Sequence, residues 1–547
     1  MLISLLAWTY LSILCLIWGH LFLYLIMAPS ERREMAWPHA CLVCLAGLTA
    51  VASISLGLSL IMPLDLTVHL IFLAGAVLWL LKKETRIQIA ALLRRGFEDY
   101  TQAQAWLLVF SIAMVLVISV HTITHPDTLI YHAKSILSLQ RYPSIPGIAN
   151  LRLQLGFQSS WFAVLALTNP IRQQHNLIFL NGAVLCWFLI FLISCLRGWW
   201  MGWLLLAYTL ASWTQIRLTA SSASPDFIVS LYCWAAILAF LQKGPASRNS
   251  YLALTIIFCM GTVLTKMSGM VILLLAVPAI VGSRWGGKGR LLAWCLLSFA
   301  ILCVKNIIAS GYMLYPSSWP DLFHARWKIP AMHMQYLREY IRSYATMPFA
   351  EQASPLSPGQ RFTAWWKYIE APDHLLLIAV VAGMLVWLVL SMKSRYRPML
   401  FRENKFALLV ALAGSCLWLF SAPNPRFGTG FIIPLAYFIW YPIPRPGMPA
   451  LPPKFFRLTA NCFMAAIAAY TAYRVVRFTS PTNLILPGGI AGEAYIPIGC
   501  EKAKVDLLHD TIIYSPGLPA DCPSRPFSSF QPIGSSIREG FVPAPDP

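Results

Sequence analysis

Long apolar runs, separated by short polar segments, dominate the pattern of hydrophobic and polar positions along the chain. Each run is close to the ~20 residues that an α-helix needs to cross the hydrocarbon core of a bilayer. The first run starts at Leu2 and lacks both a basic leading segment and a small-residue cleavage site, so we interpret it as a retained helix. The pattern predicts about 14 transmembrane helices, near residues 2–27, 39–62, 66–81, 106–121, 175–196, 199–215, 226–242, 250–265, 268–283, 290–309, 374–392, 406–421, 427–442 and 456–475.

Lys and Arg residues concentrate in alternate short loops, which predicts the orientation of the chain. The richer loops include residues 82–95 and 393–405, whereas the opposite short loops carry the isolated cations Arg217, Lys266 and Arg426. The positive-inside rule assigns the richer loops to the cytoplasm. The segments predicted to lie outside are both termini, the loops 122–174 and 310–373, and the tail from residue 476.

Composition agrees with a membrane protein and explains the high positive charge. Of the 547 residues, 58% are hydrophobic and 11% are charged, whereas a soluble domain carries about a quarter charged residues. We therefore predict an all-α polytopic membrane protein. The net charge of +20 could suggest a nucleic-acid partner, but basic cytoplasmic loops account for it. Membrane lipid is the partner that the composition predicts, since basic residues outside would also attract anionic head groups.

We divide the chain into an N-terminal part (1–104) with transmembrane helices and a basic cytoplasmic loop, a transmembrane core (105–480) and an outer tail (481–547). The tail is rich in Pro and Gly and contains Cys500 and Cys522. These cysteines could form a disulfide if the tail faces an oxidising compartment. Closing that loop of about 20 residues would stabilise the tail by roughly 3 kcal/mol. The alternative is a partly ordered extension.

The stretch 121–161 is the first extended polar segment between apolar runs. Asp127 lies in the sequence His-Pro-Asp-Thr, just beyond a predicted span and ahead of the segment LIYHAKSILSLQR. That segment has one apolar face and one polar face, which predicts a helix lying along the membrane surface. Asp127 either caps this helix or acts as a general base that takes a proton from an acceptor hydroxyl. Tyr131 and His132 lie about one helical turn away.

A second acid, Asp226, opens the seventh predicted span at the same outer face as Asp127. A carboxylate at this position interacts favourably with the helix dipole, which is the alternative to a functional role. The two acids could divide catalytic roles or share a divalent cation through their oxygens. No further acids cluster nearby in the sequence.

The three isolated cations Arg217, Lys266 and Arg426 lie at the ends of predicted spans on this face. For Lys266, in the short turn Leu-Thr-Lys, the alternative to a functional role is that its ammonium reaches the membrane interface. The functional interpretation is binding of a phosphate group, for which both Lys and Arg are suited. Three cations near two acids suit a lipid-phosphate substrate with a hydroxyl acceptor.

Taken in order, these motifs resemble the GT-C superfamily of membrane glycosyltransferases over roughly residues 105–480. The segment LGFQSSWF (155–162) also resembles a group of bacterial multi-span proteins. The motifs that carry the superfamily resemblance are Asp127 with its interfacial helix, Ser-Pro-Asp at 224–226, Leu-Thr-Lys at 264–266, KNIIASGYMLYP at 305–316 and Pro-Arg-Phe at 425–427.

The superfamily transfers a sugar from a polyprenyl-phosphate-sugar to an acceptor at the outer membrane face. The resemblance implies a GT-C-like bundle with periplasmic loops and an inverting glycosyltransferase in the bacterial inner membrane, whose active site faces the periplasm. Its acceptor would be an envelope glycan, lipid or protein, and no cofactor is implied beyond a possible divalent cation. The implied roles are acceptor activation by Asp127, a second polar function for Asp226, donor-phosphate binding by Lys266, Arg217 and Arg426, and shaping of the acceptor pocket by Tyr131, His132 and Trp161.

Other functions stay open at this point. A transporter or flippase for envelope glycan precursors would place polar residues within the membrane, and Lys305 is the main charge inside a predicted span. A polysaccharide polymerase or ligase of another fold would need arginines in an outer loop, and the 310–373 loop contains several. A structural protein whose outer loops recruit partners is a further alternative.

Overall fold

Helices dominate the structure, which confirms the predicted all-α class. The computed structural model describes residues 1–28, 37–98, 100–121, 123, 125–169, 180–196, 200–212, 218–242, 248–282, 286–346, 357–392, 405–440, 453–478, 485, 495–498, 503–506, 511–514, 530–533 and 536–543. The α-helices are α1 (Leu2–Ile26), α2 (Ala40–Leu58), α3 (Leu66–Leu80), α4 (Lys83–Glu98), α5 (Gln102–Ser119), α6 (Ala133–Arg141), α7 (Ile148–Leu151), α8 (Ser160–Thr168), α9 (Asn181–Ser194), α10 (Trp200–Ala211), α11 (Pro225–Leu241), α12 (Arg248–Thr265), α13 (Leu273–Gly282), α14 (Lys288–Ser310), α15 (Ala331–Thr346), α16 (Pro358–Tyr368), α17 (Ala371–Ser391), α18 (Lys405–Ser421), α19 (Pro425–Trp440) and α20 (Pro453–Phe478).

Short helices of other types and short strands complete the described part. A π-helix covers Thr128–His132, and 3₁₀ helices cover Leu153–Gly156, Met267–Ile272 and Ile537–Glu539. The strands are confined to the tail and are β1 (Tyr495–Ile498), β2 (Ala503–Asp506), β3 (Thr511–Tyr514), β4 (Phe530–Pro532) and β5 (Phe541–Pro543). Strands β1, β2 and β3 form one antiparallel sheet in that order, and β4 pairs with β5.

Four helices of the described residues, α1, α2, α5 and α14, are long and apolar enough to cross a membrane. A fifth span results if α3 and most of α4, which meet at 98°, are counted together. The predicted count of about 14 spans is therefore wrong, although membrane-spanning character is present. Several predicted spans correspond to apolar helices of 17 residues or fewer, such as α9, α11 and α18. The predicted span near residues 268–283 begins as a 3₁₀ helix and contains Pro278, and either feature can interrupt a straight α-helix. A run of apolar residues does not show how many of them form one straight helix.

Helices α1 and α2 pack with their backbones in direct contact. A Cβ atom at Gly19 would collide with the carbonyl oxygen of Val43, and one at Gly47 would collide with that of Cys15. Small residues permit this close approach between apolar helices. One continuous hydrophobic core joins α1 and α2 to helices as far along the chain as α20.

The segments 142–157 and 307–341 pack together with the end of the tail, and we call this assembly the loop layer. The Phe541 backbone N–H donates to the Pro146 carbonyl oxygen at 3.0 Å. The Asn150 side chain donates to the carbonyl oxygens of Trp327 at 2.8 Å and Phe541 at 3.2 Å. Phe541 is fully buried, so the described end of the tail is folded onto the rest of the chain. Cys500 and Cys522, the predicted disulfide partners, lie outside the described residues.

Candidate functional site

Asp127 lies just before the π-helix, and its carboxylate forms no side-chain cap with that helix. Instead, Asp127 Oδ2 accepts a hydrogen bond from the Arg426 guanidinium at 3.1 Å. The Asp127 side chain is 21% exposed, compared with 9% for Arg426. The capping alternative is therefore not realised, and Asp127 presents a carboxylate that is both ion-paired and accessible.

Asp226 lies in the first turn of α11, behind Pro225. The cap of α11 is Ser224, whose hydroxyl accepts from the Asp226 backbone N–H at 3.4 Å. The Asp226 side chain, 6% exposed, forms an ion pair with Lys266. Its second oxygen is 3.6 Å from Nε of Arg426. Asp226 is thus held between two cations, in addition to the favourable field of the helix N-terminus.

Arg426 lies in the first turn of α19, where the Asn424 side chain accepts from its backbone N–H at 3.2 Å. Its guanidinium bridges the carboxylates of Asp127 and Asp226. The guanidinium carbon is 4.7 Å from the ring centroid of Phe427 and 5.6 Å from that of Tyr344. Such aromatic faces attract a cation and exclude water from it.

Lys266 lies in the turn between α12 and the following 3₁₀ helix. The preceding carbonyl oxygen, that of Thr265, accepts from the Ser159 hydroxyl at 2.7 Å, which ties the turn to the start of α8. The Lys266 ammonium lies 4.3 Å from the Phe427 ring centroid and pairs with Asp226. The side chain is engaged in the protein and is 34% exposed, the most exposed of the four charged groups.

The four side chains form a row of alternating charge, which we call the charged row: Asp127, Arg426, Asp226, Lys266. The residues come from the π-helix start, α19, α11 and the α12 turn. Two positive and two negative charges balance one another, so the row holds two ionised acids without a net charge. The accessible ends are a carboxylate at Asp127 and an ammonium at Lys266, which is suited to taking a proton at one end and binding an anion at the other.

His125 and His132 are buried beside the charged row. Burial and the nearby Arg426 lower the pKa of His125 from 6.5 to about 4. Burial and the neighbouring His125 also lower the pKa of His132 well below its usual value. Both rings are therefore neutral at pH 7. Neither ring nitrogen of His125 has a hydrogen-bond partner among the described residues, which leaves a neutral imidazole two positions from Asp127.

A stability measurement tests the state of His125. Between pH 6.5 and about 4 the unfolded His125 takes up a proton that the folded residue does not, so the free energy of unfolding falls as the pH is lowered. The pKa difference corresponds to a loss on the order of 3 kcal/mol. We expect His125→Gln to flatten this slope, measured as the unfolding midpoint of the full chain in detergent at pH 7 and pH 4.5. His324→Gln, at an exposed position, is the control, and equal slopes in both variants would contradict the assignment.

The remaining predicted site residues lie around the charged row or outside the described part. The Tyr131 ring centroid is 4.3 Å from that of His132 and 5.9 Å from that of Phe157. Burial, followed by the charge of Asp127, raises the pKa of Tyr131, so its phenol stays protonated. Arg217 lies outside the described residues. No group of three or more His, Cys, Asp or Glu side chains in the described ranges is placed to hold a metal ion.

Trp161 is 1% exposed and does not line an accessible surface. Its indole N–H donates to the Asn181 side chain at 3.1 Å, and that side chain donates to the Ser224 carbonyl oxygen at 2.8 Å. Trp161 therefore positions the start of α11, which carries Asp226, rather than shaping a pocket as predicted. The sequence pattern does not mark residues such as Trp161 and Asn181, which position a site residue through another side chain.

A family model described as a domain of unknown function (DUF8201) matches residues 1–433. The chain belongs to this family. The matched part contains the whole charged row and ends within α19, so the tail lies beyond it. No curated protein matches the chain, and no solved structure matches it.

Proposed function

We propose that the protein is an inverting glycosyltransferase of the GT-C type. It would transfer a sugar from a polyprenyl-phosphate-sugar donor to an envelope glycan, lipid or protein at the periplasmic face of a bacterial inner membrane. The observation that carries the proposal is the convergence of Asp127, Asp226, Lys266 and Arg426 from four separate parts of the chain. A base and phosphate-binding cations at one place are what this reaction requires.

In the proposed reaction, Asp127 takes the proton of an acceptor hydroxyl. The oxygen lone pair then forms a bond to the anomeric carbon of the sugar. The bond between that carbon and the phosphate oxygen breaks on the opposite side, and its electron pair leaves with the polyprenyl phosphate. Configuration at the anomeric carbon is inverted. The hydrogen bond from Arg426 orients the Asp127 carboxylate, and a general base needs to be positioned in this way.

The leaving phosphate gains negative charge, so it is stabilised by cations more than by a general acid. Lys266 is the cation best placed for this role, because a third of its side chain is exposed. A bound phosphate would share the ammonium with Asp226. The Arg426 side chain is more buried than that of Lys266, and its guanidinium already pairs with two carboxylates.

Three tyrosines on one face of α15 lead to the charged row. The rings of Tyr336 and Tyr340, and those of Tyr340 and Tyr344, stack with centroids 6.1 Å apart. Tyr344 faces the guanidinium of Arg426. Aromatic side chains combine an apolar face with a polar tip, which suits an acceptor that carries sugar rings, so this face supports an envelope glycan as acceptor.

The donor-phosphate role is tested with Lys266→Met in a transfer assay on membranes that contain labelled polyprenyl-phosphate-sugar. We expect kcat/KM for the donor to fall about 10- to 100-fold, because a charge-assisted contact to phosphate is lost. Part of the loss should appear in kcat, since the contact strengthens as the phosphate gains charge. Lys328→Met is the matched control, since Lys328 also pairs with an aspartate, Asp321, but in the loop layer. A wild-type protein that moves the donor lipid across the membrane without transferring sugar would overturn the enzyme proposal in favour of a flippase.

A further inference from the structure

A polar cavity, separate from the charged row, lies between α6, the start of α8 and the C-terminal end of α14. It is small and partly open to solvent, with about 30 Å³ of space for water-sized atoms, so it suits a compact group and not an extended ligand. The charged row does not line it. Its polar lining side chains are Ser135, Ser138, Ser144, Gln158, Ser159 and Lys305.

Lys305 is the only cation in the cavity lining, and it is 1% exposed. Its ammonium donates to the hydroxyls of Ser59 at 2.6 Å and Ser144 at 2.9 Å. Both hydroxyls donate their own protons to carbonyl oxygens, Ser59 to Leu56 and Ser144 to Ser59, so they are acceptors for the lysine. Within the described residues no carboxylate pairs with Lys305, and one of its three N–H groups has no acceptor.

Ser135 supplies a second unmet donor in the same cavity. Its side chain is 9% exposed, and its hydroxyl has no hydrogen-bond partner among the described residues. Buried charges and buried hydroxyls are normally matched by partners, because leaving them unmatched is costly. A buried ammonium and a buried hydroxyl that both lack an acceptor indicate a ligand that is negatively charged and carries several acceptor oxygens.

We propose that this cavity binds a phosphate group, with Lys305 as the counter-charge and Ser135 as a hydrogen-bond donor. A single ammonium acts as a point charge and suits a singly charged phosphate. The group is either free phosphate or the phosphodiester of a lipid head group. The second source is supported by α14, which is apolar enough to cross a membrane and exposes Leu296 and Leu297, while the cavity lies at its end. The inference does not depend on transferase activity.

Ser135→Ala is the decisive variant, because it removes a hydroxyl that makes no hydrogen bond in the protein. The folded structure should therefore keep its stability. We expect inorganic phosphate, titrated into the purified full chain in neutral detergent, to raise the thermal midpoint of the wild type. The apparent affinity should fall about threefold or more in Ser135→Ala and about tenfold or more in Lys305→Met. Lys405→Met, at an exposed lysine of α18, should bind as the wild type does.

The same variants in phosphatidylcholine nanodiscs, with and without phosphatidylglycerol, separate the two sources. Stabilisation by phosphatidylglycerol that is lost in Ser135→Ala identifies a lipid head group, whereas stabilisation by inorganic phosphate alone identifies a free anion. If the wild type responds to neither probe, or if Ser135→Ala responds as strongly as the wild type, the proposal is wrong. Because Lys305 also ties Ser59 to Ser144, a Lys305→Met protein that fails to fold leaves the Ser135 result to decide.

Discussion

Asp127→Asn is expected to lower the rate of sugar transfer by about 10²- to 10⁴-fold, the contribution of a positioned general base. The amide has nearly the shape of the carboxylate and can still accept a hydrogen bond from Arg426, but it cannot take a proton from the acceptor. The loss should therefore appear in kcat, with little change in donor binding. The measurement is transfer of labelled sugar from lipid extracts in membranes that contain equal amounts of each variant.

Asp321→Asn is the matched control, because Asp321 is also an ion-paired acid but lies in the loop layer and is 51% exposed. It should transfer sugar at the wild-type rate. Full transfer by Asp127→Asn at normal protein level would show that another group is the base. Loss of transfer in both variants would point instead to a general effect of removing ion pairs on folding.

The members of the charged row can be found from sequence because the chain has few charges, and these four lie at the ends of apolar runs. Lys266 and Arg426 stand out further because they lie in loops that are otherwise poor in basic residues. The structure brings both cations together with Asp127 and Asp226. The local pattern therefore identifies charged residues that need a partner in an apolar protein, because burying an unpaired charge is costly.

Which residues become partners does not follow from the pattern. Asp127 and Arg426 are 299 positions apart, and only the packing of the helices brings them within a hydrogen bond. Tyr344 and Phe427 flank Arg426 without any motif that marks them. His125 is visible in the sequence two residues before Asp127, but its burial is not. The predicted bounds of most described spans lie close to those of the observed helices, but the pattern does not show which helices are long and straight enough to cross a membrane.

Helix α15 and the end of the tail also make contacts that the local sequence pattern does not predict. The repeat Tyr336, Tyr340, Tyr344 is visible in the sequence as residues four apart, which places the rings on one helical face. Its orientation toward Arg426 depends on how the loop layer packs. Likewise, nothing near Phe541 in the sequence indicates that its backbone pairs with Pro146, almost 400 residues earlier.

Arg426→Met is expected to destabilise the protein by about 3 kcal/mol or more, because it removes one partner from a largely buried ion-pair row. Asp127 would lose the partner at 3.1 Å, and Asp226 would keep only Lys266. The measurement is thermal or denaturant unfolding of the full chain in detergent. Arg326→Met, at an exposed arginine of the loop layer, should change the unfolding midpoint little.

A double variant distinguishes the loss of the Arg426 ion pair from the cost of leaving the buried Asp226 carboxylate without that partner. Adding Asp226→Asn to Arg426→Met removes the second buried charge, so the double variant should recover part of the stability, with a coupling of about 1–3 kcal/mol. Lowering the pH should also reduce the deficit of Arg426→Met, because a protonated carboxyl group no longer needs a cation. Strict additivity of the two substitutions would mean that Arg426 stabilises the fold through its contacts with Phe427 and Tyr344. The charged row would then be a consequence of aromatic packing and not the reason for the position of Arg426.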